Sequence, residues 1–373
     1  MSLIHECSWY QPRHMQPVGL LHSALNISSE RDIMATNFSI LDVRQVKDED
    51  VINRLKEFVK DREAFSKNTW DQLLSVMRIS CTWASEHGRT FLPMSPADLR
   101  DYLIYLHTTG RASSTVSAHA SLISMLHRNA GLTPPNISPL VFRAIKKINR
   151  AAVTGGERAG QAVPLRITDL QQLDTLWACS ARLQQRRDIA FIHVAYSTLM
   201  RISELGRLRV RDITRSVDGR ILLDVAWTKT VVMTGGLIKA LGEISSQRLT
   251  EWLTVSGLIT EPEAFIFCHV HRSNRALLQT DAPLSTRALE DIFARAWHTT
   301  SLNREIKPNK NRYKGWSGHS ARVGAAIDMA TSGITITRIM QEGTWKKSET
   351  VMRYIRHIDA HEGAMVELMK KKF

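Results

Sequence analysis

Cysteine is scarce in this chain of 373 residues, and its spacing pairs none of it. Cys7, Cys81, Cys179 and Cys268 stand far apart with no CxxC pair, which excludes a disulfide-stapled scaffold and points to a reduced, intracellular protein. An apolar run of about 18 residues is missing, as are the basic end and apolar centre of a secretory signal, so neither a membrane span nor secretion is expected. No 20- to 50-residue repeat is visible, which argues against a solenoid. Acidic side chains are the other shortage: 36 Asp and Glu face 50 Lys and Arg, and the net charge of +14 favours a polyanionic partner such as nucleic acid. "CHVHR" at residues 268–272 carries metal-binding side chains, but they alternate along an expected strand with no second ligand pair nearby, so no metal site is read there. What is present is an ordinary globular balance, 43% hydrophobic and 23% charged, on a length that suits two or three domains.

Residues 1–45 show no sustained period and suggest a flexible N-terminal arm, with Met34 as a second candidate start. From Glu49 the pattern is helical. Val51, Ile52, Leu55, Phe58 and Val59 form one stripe; Trp70, Leu73, Leu74, Met77, Cys81 and Ala84 form another. Ser95 is the expected N-cap of a third helix with Pro96 at its first position and Leu99, Tyr102, Leu103 and Leu106 inward. A fourth helix follows Ser113 and a fifth spans about Pro139 to Arg150, so residues 46–150 form a helical bundle. The small, flexible segment 151–164 reads as a linker, and residues 165–373 as a second domain. There "RDIAFIHVAYSTLM" is a buried helix, whereas Ile221, Leu223, Val225 and Trp227 alternate after the turn signal Asp218-Gly219, so a small antiparallel sheet is expected within 209–240.

The stretch "WSGHSARVGAA" aims His319 and Arg322 from a run of small residues. If Ser320 onward is helical, both project to one side, and the small residues let a neighbour, an anion among the candidates, approach closely. Other isolated polar groups sit at element ends: Arg201 and Glu204 in "LMRISEL", Lys229 in "WTKT", Trp345 in "EGTWKK" and Tyr354 in "VMRYIRHI". Each has a plainer reading: an i,i+3 ion pair, a hairpin lysine, a core aromatic, a helix residue with a buried ring. Together they match metal-free phosphodiester transfer better than the carboxylate chemistry of a magnesium nuclease. Guanidinium forks neutralise phosphate oxygens, imidazole and indole add donors, a phenol supplies a nucleophile that keeps the phosphate attached, and a lysine protonates the leaving oxygen.

This order of residues, with "LSTRALE", "WSGHSARVGAA", "IMQ", "VMRYIR" and "GAMV", resembles the tyrosine recombinase family from roughly Val51 to the C-terminus. The resemblance implies a mainly α fold: a two-domain, C-shaped DNA clamp with an N-terminal helical bundle and a mainly helical catalytic domain holding a small antiparallel β-sheet. It implies that Tyr354 attacks the scissile phosphate to give a 3′-phosphotyrosyl link and a free 5′-hydroxyl. Arg201, Arg322, His319 and Trp345 would hold the phosphate, Lys229 would be the general acid, and Glu204 would support the site. A partner duplex then attacks the link, and a Holliday junction is resolved by a second round, with no metal, nucleotide or other cofactor. The implied partner is double-stranded DNA with an inverted-repeat target site, bound by a homotetramer that is a monomer or weak oligomer without DNA. The implied setting is the cytoplasm, of bacterial, phage or plasmid origin, on the nucleoid when bound and away from membranes.

DNA reading transfers in part. Arg287 and Glu290 match a base-contacting helix, Arg287 bidentate to guanine, although a solvated helix start is the plainer alternative. Arg312 matches a phosphate contact. The reading helices of the first domain depart from the pattern, with Asp71, Gln72, Ser114, Ser117 and Ala118 in place of basic and amide residues; His269 and His271, beside Arg272, replace sheet arginines. A related but different target is expected. After Asp359 a capping-box start with Glu362 leads to Met365, Val366, Leu368 and Met369, a helix that either packs on its own domain or, by the resemblance, docks into a neighbouring subunit. Two rivals remain at this point: a DNA-binding regulator that kept the fold without the chemistry, and the same chemistry put to topoisomerase or telomere-resolvase use.

Overall fold

The computed structural model describes residues 48–157, 160–225, 236–300, 315–361 and 369. The chain forms two compact units, Met1–Arg158 and Ala159–Phe373.

In the first unit, α1 (Glu49–Lys60) is capped by the Asp48 carboxylate, which accepts from Asp50 N at 3.0 Å. Helix α2 (Lys67–Glu86) starts at Ser66, and α3 (Pro96–Thr108) starts as expected, with Ser95 Oγ accepting from Asp98 N at 3.0 Å and Pro96 in the first turn. Helices α4 (Ser113–Asn129) and α5 (Pro139–Thr154) complete the bundle. Their apolar stripes meet in one core in which Leu55, Leu73, Leu99, Tyr102, Leu103 and Ile123 are almost fully buried. Helix α5 runs past the Arg150 end expected of it, because Ala152 extends the buried stripe of Val141, Ala144 and Ile148 by one more turn. Glu157, in the stretch read as linker, accepts from Ser113 N at 3.0 Å and Ser113 Oγ at 2.8 Å and so caps α4.

In the second unit, α6 (Ile167–Trp177) and α7 (Leu183–Thr198) lead into the four-residue helix α8 (Ile202–Leu205). Every residue of α7 from Arg187 to Ala195 is buried, as its apolar composition requires. Strands β1 (Ile213–Arg215), β2 (Ile221–Val225) and β3 (Leu237–Ala240) form the expected antiparallel sheet in sequential order, with Ile213 opposite Leu223 and Leu223 opposite Lys239. Gly219 takes φ 83° in the β1–β2 turn, the reason a glycine stands there. Helix α9 (Glu243–Ser256), the short hairpin β4 (Val270–His271) and β5 (Arg275–Ala276), and helices α10 (Thr286–Thr300), α11 (Ser320–Thr331), α12 (Ile336–Gly343) and α13 (Ser348–His361) follow. Phe191, Trp252, Phe267 and Phe293 lie at the centre of this unit's core. Among the described residues no helix is long and apolar enough to cross a membrane.

Two buried histidines tie the first unit's stability to pH. His127 Nε2 accepts from Met94 N at 2.9 Å while Nδ1 faces Ile123 O at 2.8 Å, so the ring is held neutral with its proton on Nδ1. His119 Nδ1 lies 2.8 Å from the Tyr102 hydroxyl. Burial pushes His127 below its ordinary range and, with the Arg111 charge, pushes His119 down to about 4. Above the unfolded value of about 6.5 neither ring affects stability; as pH falls below it, the unfolded chain binds protons that the folded rings refuse. Acidification from pH 7 to 5 should therefore lower the unfolding free energy of the full chain, by up to about 1.4 kcal/mol per pH unit per ring. In denaturant titrations the His119→Gln/His127→Gln double variant should start less stable at pH 7 and lose less on acidification. Equal losses in variant and parent would remove these rings from the account.

Candidate active site

Helix α11 carries the densest part of the site. His319 precedes it and Arg322 stands in its first turn, as the sequence suggests. The small residues of this stretch do admit a close neighbour. A Cβ on Gly324 would lie 1.6 Å from the Leu165 carbonyl oxygen, and Leu165 N donates to Ser320 O at 3.0 Å. At Gly324 the close neighbour is the protein's own backbone. The same packing sinks Arg322 to 3% exposure.

A buried guanidinium needs acceptors, and two main-chain carbonyls supply them. Arg322 Nη1 donates to Leu199 O, and Nη2 donates to Gly343 O at 3.1 Å. Leu199 ends α7 at φ 53°, and Thr344, just after Gly343, has φ 52°. Both are left-handed positions without glycine, a backbone cost of about 1 kcal/mol or more each that aims these carbonyls inward. Burial, reinforced by the Arg201 charge, pulls Arg322 down to about 10, which still leaves it protonated at neutral pH. The guanidinium retains donors beyond those the two carbonyls use.

Arg201 lies at the N-terminus of α8, and the Glu204 carboxylate holds it twice, accepting from Arg201 N at 3.0 Å and from Nη1 at 2.9 Å. Glu204 is buried, whereas the Arg201 side chain keeps 26% of its surface exposed. The ion pair of the plainer reading is thus real, and it orients a guanidinium with a free edge. His319 is exposed. Desolvation, then the charges of Arg322 and Arg201, hold it below the ordinary histidine range.

Trp345 and Tyr354 close the cluster. The Arg322 guanidinium carbon lies 4.9 Å from the Trp345 ring centroid, and the Trp345 and Tyr354 rings meet edge to face at 5.7 Å. Both aromatic rings also pack on Ala326, Ile339 and Val351, so the core-aromatic reading of Trp345 holds in part. The structure thus brings together Arg201, Glu204, His319, Arg322, Trp345 and Tyr354. Lys229 and Arg312 lie outside the described residues, as do Met365, Val366 and Leu368 of the tail.

The expected DNA-facing residues are dispersed. Arg287 stands in the first turn of α10 with its side chain 88% exposed and Nε 3.3 Å from Asp291. Glu290 is turned inward, accepting from Gly318 N at 2.8 Å beside His319. Asp71 pairs with Lys67 at 2.9 Å on α2, next to exposed Gln72. Ser114 and Ala118 are exposed on α4, with Ser117 half-buried. His269, His271 and Arg272 are exposed at the β4–β5 hairpin, where His271 Nδ1 lies 2.8 Å from Ser273 Oγ. Among the described residues no group of three or more His, Cys, Asp or Glu side chains could hold a metal ion. Sequence reasoning missed Leu199 and Gly343, which act through main-chain carbonyls and leave no side-chain signal.

A mainly helical unit with two arginines, a histidine, a tryptophan and a tyrosine gathered at one site has the make-up of a phosphoryl-transfer enzyme. The family model "phage integrase family" matches residues 165–361. The chain is 42% identical over 334 residues to the recombinase cre of Escherichia phage P1, covering 90% of this chain and 96% of that protein. Among solved structures it is similar in fold to the Tn1549 transposon integrase in complex with transposon right-end DNA, at TM-score 0.55 and 14% identity over 86% of this chain and 99% of that one. It is also similar to the XerH site-specific recombinase bound to palindromic difH substrate, at TM-score 0.54 and 16% identity over 93% and 95%. The chain belongs to the phage integrase family and is a tyrosine recombinase.

The tight turn before Trp345 gives a direct test of the cluster. A Cβ on Gly343 would lie 2.1 Å from the Trp345 ring. Gly343→Ala must displace the indole from Arg322 and should slow DNA cleavage by about tenfold or more, with DNA binding within about threefold of the parent. Parent-like cleavage in a single-turnover assay would show that the indole's place does not matter.

Proposed function

We propose that this protein is a site-specific DNA recombinase that binds inverted-repeat sites and exchanges strands through Tyr354. The observation that carries the reading is the run of contacts from Arg322 to Trp345 to Tyr354, with Arg201 held alongside by Glu204. It places a phenol next to buried positive charge. The Tyr354 hydroxyl gives up its proton to solvent, from which Lys229 is recharged after the step, as its oxygen attacks the scissile phosphorus; a P–O bond to tyrosine forms, and the bond to the 5′-oxygen breaks. Lys229 delivers a proton to that departing oxygen, leaving a 5′-hydroxyl and a 3′-phosphotyrosyl link. Arg201, Arg322, His319 and the Trp345 indole donate to the nonbridging oxygens, where charge grows in the transition state. No bond energy is lost to water, so the 5′-hydroxyl of a partner duplex can reverse the step on the new strand. One exchange yields a Holliday junction and a second resolves it. Guanidinium groups carry the charge in this scheme, and no metal or nucleotide takes part.

Arg287, the most exposed of the proposed reading groups, suits a guanine edge in the major groove. Glu290, held on Gly318, is better suited to fixing the His319 turn than to reading a base. In this reading Asp71, Gln72, Ser114, Ser117, Ala118, His269, His271 and Arg272 shift base preference, and Arg312 contacts phosphate.

Assembly is proposed to use the tail. A groove of about 640 Å³ in the second unit has an apolar part lined by Ile167, Leu170, Tyr196, Ile244 and Met329, beside polar Asp174, His193 and Ser245, with Ile167 and Ile244 at 41% and 50% exposure. It is suited to the apolar Met365, Val366, Leu368 and Met369 of a second copy, which would join four protomers in a ring on two duplexes.

Three experiments test this reading. Tyr354→Phe should bind DNA and form no covalent complex, while Lys229→Ala should cleave slowly and recover on a substrate whose leaving oxygen is sulfur. A persistent adduct in the first, or an equal defect on both substrates in the second, would remove the assigned role. Ile244→Asp, like loss of the chain beyond Asp359, should leave half-site binding intact and reduce DNA-bound tetramer on native gels by about tenfold. Tetramer at parent yield would overturn the docking assignment.

A further inference from the structure

Strand β3 is built inside out. Ile238 is 69% exposed, while its neighbour Lys239 is 6% exposed, directly opposite fully buried Leu223. The Lys239 ammonium donates to the Glu342 carbonyl oxygen and lies 3.4 Å from Glu342 Oε2. Glu342 is the penultimate residue of α12, and the next carbonyl, that of Gly343, is the one Arg322 Nη2 holds. Two consecutive carbonyls at the end of one helix are therefore each gripped by a cation, one from β3 and one from α11. Carbonyls at a helix C-terminus carry partial negative charge and favour such partners. Thr344 then turns through its left-handed conformation, and Trp345 follows with its N–H on Met340 O at 2.9 Å.

Burial of an ammonium is costly, and a well-packed apolar side chain is often the more stable choice at such a position. Burial indeed pulls the Lys239 ammonium below its ordinary range, and the nearby Arg322 charge adds to the effect. A site that tolerates this cost beside a second buried cation calls for a use of the charge.

We propose that Lys239 is a positioning residue for strand cleavage: it pins the Glu342–Thr344 turn so that the Gly343 carbonyl seats Arg322 and the Trp345 indole stays on the guanidinium. Lys239 does not touch the phosphate. Its hold on the turn is spent on Glu342 O, and it acts through Arg322 and Trp345. The inference rests on the reading of those two side chains as phosphate-holding groups, and it is distinct from the general-acid role given to Lys229, ten residues earlier in the sequence.

The test is Lys239→Met, which keeps much of the length and removes the charge, studied in the full chain with the rate normalised to folded protein. Half-site DNA binding should stay within about threefold of the parent. Formation of covalent complex in a single turnover should fall by about tenfold to a hundredfold, the range expected when a reacting group shifts by about an ångström. The factor should be the same on a substrate with a sulfur leaving group, because the defect lies in holding the phosphate. Lys239→Arg, which restores a cation, should recover most of the rate and serves as the test if Lys239→Met does not fold. In a Trp345→Phe background, Lys239→Met should cost much less than it does alone, since part of what the turn positions is already gone.

A parent-like rate in Lys239→Met, recovery on the sulfur substrate, no rescue by arginine, or full additivity with Trp345→Phe would each overturn the proposal. Failure of the underlying reading looks different: Arg322→Ala and Trp345→Phe would then themselves cleave like the parent.

Discussion

A guanidinium at 3% exposure must be satisfied by the protein or by a ligand, because an unpaired charge in that position is not sustainable. Arg322 meets this constraint with two carbonyls and an indole face, and each of those partners shapes its surroundings. Leu199 and Thr344 adopt left-handed backbone beside the accepting carbonyls. Gly343 has no side chain because the Trp345 ring occupies the space a Cβ would take. Gly324 has none because the Leu165 backbone lies against it, and that contact fixes the helix that carries Arg322. The local folding problem and the chemical one are the same problem. A cation buried this deeply with donors to spare is what the proposed phosphate seat requires.

The rest of the cluster follows from that seat. Burial and then the Arg201 charge lower Arg322, and the buried Glu204 carboxylate offsets part of the accumulated charge. Desolvation, then the Arg322 and Arg201 charges, lowers His319 as well, which disfavours a third charge at the site. Tyr354 presses its ring on Trp345 and on the small face of α11, so the proposed nucleophile and the proposed phosphate-holding groups share one support.

Most of this was legible in the sequence where side chains carry the signal. Helix starts at Ser95 and Ser320, the sheet within 209–240 and the burial of α7 all follow from caps, turn residues and hydrophobic period. The site residues were legible as types in an order, and family likeness connected them; nothing local would have paired Arg201 with Tyr354. Three features were not legible, each for a physical reason. Carbonyl ligands such as Leu199 O leave no mark on residue type. Lys239 takes an inward position of its strand while Ile238 faces out, and its partner, the Glu342 carbonyl on α12, lies far away in sequence. The run of Ala and Gly around Arg322 makes room for a close neighbour, and residue type alone does not say that the Leu165 backbone takes part of that room.

The central claim is that the Arg322 charge exists to meet the negative charge of a phosphate. Arg322→Ala should therefore fail on an ordinary DNA site and regain activity when the scissile phosphate is replaced by a neutral methylphosphonate, which no longer needs a cation. The measurement is single-turnover formation of covalent complex by Arg322→Ala on the two substrates, each relative to the parent protein. The account predicts a loss of about a hundredfold or more on the phosphate, as for removal of one oxyanion donor, and a much smaller loss on the methylphosphonate. An equal loss on both would contradict it and reduce Arg322 to a structural cation.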